Sequence, residues 1–140
     1  MSSRPRTEAT SPATPARLLE VARAAARNGY APYSNFRVGA AVLADGKVYD
    51  GCNIENASYG LTVCAERVAV FNAISAGNRR IDAIAVTCLD AGNGSPSKRL
   101  PCGAWRQVIS EFGDENTPVI VDGVGEMRLR QLLPKPFSLD

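Results

Sequence analysis

The sequence predicts an α/β fold, a three-layer α-β-α sandwich with a mixed central sheet. Three observations predict it. An apolar hairpin pattern sits in the first third of the chain, helix-like and strand-like periodicities alternate after it, and the 140 residues carry no internal repeat or domain boundary. Thr14-Pro15 places an N-cap ahead of proline at the first helical position, and Leu18, Val21, Ala22 and Ala25 continue at helical spacing up to Gly29. Tyr30 to Ser34, with Pro32, reads as loop. Phe36 to Ala44 and Lys47 to Cys52 flank Asp45-Gly46, a tight-turn pair, and read as a β-hairpin. Asn53 to Thr62 is polar and suits a loop that lines a site.

Helical spacing resumes at Cys64, through Val68, Ala69, Phe71, Ala73 and Ile74, and stops before Gly77. Ile81 to Leu89 reads as a buried strand and Asp90 to Leu100 as an exposed loop. Pro101 precedes a second helix, Cys102 to Phe112. Pro118 to Asp122 is a short strand, and Glu126 to Leu133 is expected to form a short amphipathic helix stopped by Pro134. Met1 to Thr14 is rich in Ser, Thr, Pro and Ala; it reads as a disordered tail (residues 1–14) ahead of one domain spanning residues 15–140.

Composition narrows the function. A net charge of +2 gives no basic stripe for polymeric nucleic acid, and Arg79-Arg80 and Lys98-Arg99 read as solvated loop charge. No stretch reaches the roughly 20 apolar residues of a membrane span. The chain has no histidine, which excludes a Ser-His-Asp triad, a Cys-His pair and every His-ligated metal site. Four cysteines without a secretory leader point to a cytoplasmic protein, and to metal or catalysis before disulfides.

Two motifs carry the chemistry. Cys64-Ala65-Glu66 opens one helix and Pro101-Cys102-Gly103 opens another. Unpaired N–H groups and a partial positive charge at a helix N-terminus favour thiolate over thiol, so Cys64 and Cys102 make a half-site for a cation such as zinc. Glu66, two residues past the first sulfur, could reach the ion's open position without being a ligand and move protons there.

Cys64-Ala65-Glu66-Arg67 and Pro101-Cys102-Gly103-Ala104-Trp105-Arg106-Gln107 resemble the two zinc motifs of the small, homotetrameric cytidine deaminases. The likeness extends to Ala31-Pro32-Tyr33-Ser34-Asn35-Phe36, Val38-Gly39-Ala40-Ala41, Gly51-Cys52-Asn53-Ile54-Glu55-Asn56 and Leu132-Leu133-Pro134 with Phe137, and covers about residues 18–137. The resemblance implies hydrolytic deamination of cytidine, deoxycytidine or a related nucleoside, with zinc as cofactor and a place in pyrimidine salvage. It implies that Glu66 shuttles protons, Asn53 and Glu55 hold the ribose hydroxyls, Phe36 packs near the pyrimidine and the Ala65 backbone bonds the base edge. It implies that Arg67 bonds the thiolates. It implies that Phe137 enters a neighbouring subunit's site, making a homotetramer with shared sites.

One position departs from the pattern. Trp105 stands where the family's Cys-x-x-Cys pair places its second cysteine, and an indole N–H is a donor that cannot ligate a metal. Either two thiolates hold zinc with water or another ligand, Cys88 or Cys52 being the candidates, or zinc is lost and a nucleoside-shaped pocket remains. The indole would fill the metal cavity or push the neighbouring loop outward. The loop before Pro101 is also longer than is usual in the family, with Leu100 in place of a serine. Beside hydrolytic deamination stand two alternatives: a non-catalytic nucleoside-binding homologue, and an enzyme running a different reaction on a cytidine-like or specialised-metabolite substrate.

Overall fold

A computed structural model describes residues 14–92 and 102–139. Helix α1 (Pro15–Ala26) begins as expected: the Thr14 hydroxyl caps it by accepting from the Arg17 N–H, and Pro15 occupies its first turn. Strands β1 (Val38–Ala44) and β2 (Lys47–Cys52) form the expected hairpin. Asp45 and Gly46 both take positive φ (50° and 75°), as a two-residue hairpin turn of matching twist requires. Helix α2 (Ala65–Ser75), strand β3 (Ala83–Cys88), helix α3 (Gly103–Phe112) and strand β4 (Pro118–Val121) follow.

The last expected helix is mostly something else. Residues 125–128 form a strand, β5 (Gly125–Arg128), paired antiparallel with β4, and only Leu129–Leu132 is helical (α4). Gly123 and Gly125, at φ 79° and 132°, let the chain reverse directly after β4. Met127 then packs against the core while Glu126 and Arg128 face out, an alternation that over so few residues also fits a helix.

The sheet runs β2-β1-β3-β4-β5, with β3 and β4 parallel and the other pairs antiparallel. Period-two alternation sorts its side chains into two layers of core. Ala41, Ala83, Ala85 and Ile120 pack with Leu18 and Ala22 of α1. Ala40, Val42, Ile84, Val86, Val119 and Val121 face the other way, toward α2, α3 and α4. The mixed sheet covered on both faces is the architecture expected. Two glycines set the helix spacing: a Cβ on Gly39 would lie 2.0 Å from the Ala22 carbonyl oxygen in α1, and one on Gly51 would lie 2.5 Å from the Ala69 nitrogen and 2.7 Å from the Ala65 oxygen in α2. Residues 1–13 of the expected tail, and residues 93–101, which take in most of the expected Asp90–Leu100 loop with Leu100 and the following Pro101, lie outside the described residues. No described helix is long and apolar enough to cross a membrane.

Candidate active site

Strand ends and two helix starts converge on one cavity of about 660 Å³, a size suited to a small organic ligand. Cys64 is the N-cap of α2 and Cys102 the N-cap of α3, so both sulfurs sit where unpaired backbone N–H groups concentrate. The two Sγ atoms and a Glu66 carboxylate oxygen all lie within 4.8 Å of one another. Phe36, Asn53, Glu55 and Ala65 line the same cavity, together with Ser34, Val38, Thr62, Val86, Cys88 and Asp90.

The two thiols act on each other. Their mutual hydrogen bond raises the Cys64 pKa, with burial adding to the rise, and lowers that of Cys102, where the Trp105 and Ala104 backbone N–H groups lower it further. Arg67 donates from Nε to Cys64 Sγ at 3.2 Å and from its terminal nitrogen to the Thr62 carbonyl at 3.0 Å, bringing positive charge beside that sulfur. Glu66 is 3% exposed, and burial pushes its carboxyl up to about 7, with the nearby Cys102 charge acting the same way.

The ribose-binding candidates are held in place by the chain itself. Asn53 bridges the entrance to β1, its Oδ1 accepting from the Val38 N–H at 2.9 Å and its Nδ2 donating to the Phe36 carbonyl at 2.8 Å. One amide hydrogen and one lone pair remain for a ligand. Glu55 accepts from the backbone N–H groups of Tyr33 and Ser34 at 3.0 and 3.1 Å and from the Ser34 hydroxyl. The Ser34 hydroxyl does most to hold its carboxyl below the usual carboxylate range.

Other sequence candidates lie elsewhere. Phe137 does not line this cavity: the residue is 73% exposed, while its backbone is fastened to the Gln107 amide by two 3.2 Å hydrogen bonds. Trp105 is fully buried in the same core cluster as Ala65 and Val86, and among the described residues its Nε1–H has no hydrogen-bond partner. Cys88 borders the cavity but is not in the three-donor group, and the Cys52 thiol lies 3.5 Å from the Asn28 carbonyl oxygen instead. Sequence reasoning missed Ser34 and Asp90. A serine two residues before the expected first strand was a signal for the former; Asp90 gave none, because its partner Arg37 lies 53 residues away.

The donors fit zinc. Tetrahedral bonds of about 2.0–2.3 Å put ligand atoms roughly 3.3–3.8 Å apart, so a small closure of the group would suffice. Two sulfurs and a carboxylate oxygen are also donor types that zinc accepts.

Comparison with known proteins gives a consistent picture. The family described as the cytidine and deoxycytidylate deaminase zinc-binding region matches residues 13–121. A cytidine deaminase of Sporosarcina psychrophila is 45% identical over 127 residues, covering 87% of this chain and 90% of that protein. One from Mycobacterium tuberculosis is 47% identical over 118 residues, covering 83% and 84%. The crystal structure of cytidine deaminase from Burkholderia pseudomallei superposes with a TM-score of 0.75 at 46% identity, covering 86% of this chain and 96% of that one.

Proposed function

The chain belongs to the cytidine deaminase family of zinc-binding hydrolases, and on that premise we propose that it deaminates cytidine, deoxycytidine or a close nucleoside analogue to the uridine-type product. The observation that carries this reading is the single cavity in which Cys64, Glu66 and Cys102 meet Phe36, Asn53, Glu55 and Ala65. Cys64 and Cys102 would hold zinc, which when bound lowers the pKa of water and so supplies a nucleophile at neutral pH. Glu66 takes a proton as water adds to C4 and delivers one to the exocyclic nitrogen as the C–N bond breaks and ammonia leaves. Arg67 offsets the thiolate charge. Phe36 packs on the pyrimidine, the Ala65 backbone reads the base edge, and Asn53 and Glu55 hold the ribose hydroxyls.

The charged side chains lining the cavity among the described residues are Glu55, Glu66 and Asp90, all acidic, which favours a neutral nucleoside over its 5′-phosphate. The exposed, backbone-tethered Phe137 supports a homotetramer in which this ring reaches a neighbour's cavity. Four free cysteines suit a reducing, cytoplasmic setting. Purified protein is expected to release ammonia and form uridine from cytidine, to turn over deoxycytidine 5′-phosphate far more slowly, and to lose activity in Glu66→Ala. Zinc-loaded protein that releases no ammonia from any cytosine nucleoside would overturn the reading.

A further inference from the structure

We infer that Glu66 is itself a zinc ligand in this chain, its carboxylate taking the coordination position that Trp105 cannot fill. This rests on the reading above in which Cys64 and Cys102 hold the ion, and it adds a role for Glu66. The zinc deaminase pattern keeps the glutamate off the metal because three Cys or His ligands already close the site. Here the third thiolate is absent, and a catalytic zinc still calls for three protein donors.

The structure leaves few candidates. The chain has no histidine. Trp105 offers a buried N–H without a partner among the described residues, a donor with no lone pair to give. Cys52 is turned to the Asn28 carbonyl, and Cys88, though on the cavity wall, stands outside the convergent group. Among the described residues the only set of three metal-ligating side chains that meet is Cys64, Glu66 and Cys102.

Glu66 also suits the position on electrostatic grounds. It is 3% exposed, and a buried carboxylate needs a compensating charge that a dication supplies. Two thiolates and one carboxylate on a divalent ion leave one net negative charge, and the Arg67 guanidinium, 3.2 Å from Cys64 Sγ, offsets it. A carboxylate has two oxygens. One can bind the ion while the other remains free to carry protons, so coordination and proton transfer divide between the two atoms of one group.

Zinc content, zinc affinity by chelator competition, and the sulfur and oxygen shells seen by zinc-edge X-ray absorption test this on the full chain, in wild type, Glu66→Ala, Trp105→Cys and the double variant Trp105→Cys/Glu66→Ala. The expected wild-type ion has two sulfur neighbours. Glu66→Ala should weaken binding by more than about 100-fold, beyond the cost of losing an outer-shell partner. The double variant, with three thiolates, should bind tightly again, which separates loss of a ligand from damage to the fold. Glu66→Ala binding zinc as tightly as wild type overturns this inference alone. Wild-type protein that takes up no zinc overturns the proposed metal site along with it.

Discussion

Arg37 holds Asp90 by three hydrogen bonds, from its backbone N–H at 2.9 Å, from Nε at 3.0 Å and from a terminal nitrogen at 2.9 Å. The pair ties the approach to β1 to the segment leaving β3, where Asp90 forms part of the cavity wall. The Arg37 side chain and backbone hold the Asp90 carboxyl at about 2, below its ordinary 3.8. A folded-state pKa below the unfolded one stabilises the fold above the unfolded value, and that contribution disappears as pH falls through the folded value. Asp90→Asn should therefore lower the melting temperature at pH 5 and above, with the gap to wild type closing between about pH 4 and pH 2. A gap that stays constant across that window would show that the ion pair does not contribute.

Gly39 and Gly51 allow close helix approach on opposite faces of the sheet, and the two should respond differently to the same substitution. Gly39→Ala pushes against the α1 backbone, on the sheet face opposite the helix that presents Cys64 and Glu66, and should cost on the order of 1–3 kcal/mol in denaturant unfolding with little change in zinc affinity. Gly51→Ala meets the Ala65 carbonyl and the Ala69 nitrogen, in the first turns of the helix that presents Cys64 and Glu66. It should lose zinc affinity and kcat beyond its stability cost. Equal zinc affinity in the two variants would show that the seating of α2 does not set the site.

Sequence and structure agree where the signal is local. Cys64-Ala65-Glu66 and the cysteine at position 102 were readable because capping, dipole and ligand chemistry are compressed into a few consecutive residues. The hairpin was readable because Asp45-Gly46 needs positive φ at both positions. Strand β5 was not, since its one core-packed side chain, Met127, fits either period. The Arg37–Asp90 pair and the Ser34–Glu55 bond join residues 53 and 21 positions apart, and no periodicity announces a polar contact across such spans. Trp105 was readable as a departure, but its burial in the core beneath the sheet follows from packing that only the folded chain defines.

That burial makes Trp105 informative in two directions. Trp105→Phe removes an N–H that has no acceptor among the described residues while keeping most of the apolar volume, so stability should change little. Trp105→Cys leaves a void where the indole was and should lower metal-free stability by about 3 kcal/mol or more. The same variant supplies a third thiolate, so its thermal stabilisation by zinc should exceed that of wild type, and its deaminase activity should rise. Unchanged zinc affinity in Trp105→Cys would show that position 105 does not control the metal site.

The Ser34 hydroxyl and the Tyr33 and Ser34 backbone N–H groups fix both oxygens of Glu55. A carboxylate fixed in this way meets a ribose hydroxyl without first losing rotamer freedom, which lowers the cost of binding. Ser34→Ala removes one of the three donors and the largest influence lowering the Glu55 pKa, which should rise back toward its ordinary range. KM for cytidine is expected to rise about threefold to tenfold with kcat nearly unchanged, since the proposed Glu55 contact to the sugar would be made in ground and transition states alike. Ser34→Thr, which keeps the hydroxyl, should recover most of the loss. Turnover of free cytosine, which has no ribose, should be indifferent to Ser34→Ala. If cytosine turnover falls as far as cytidine turnover, Ser34 supports the cavity as a whole rather than positioning Glu55 for the sugar.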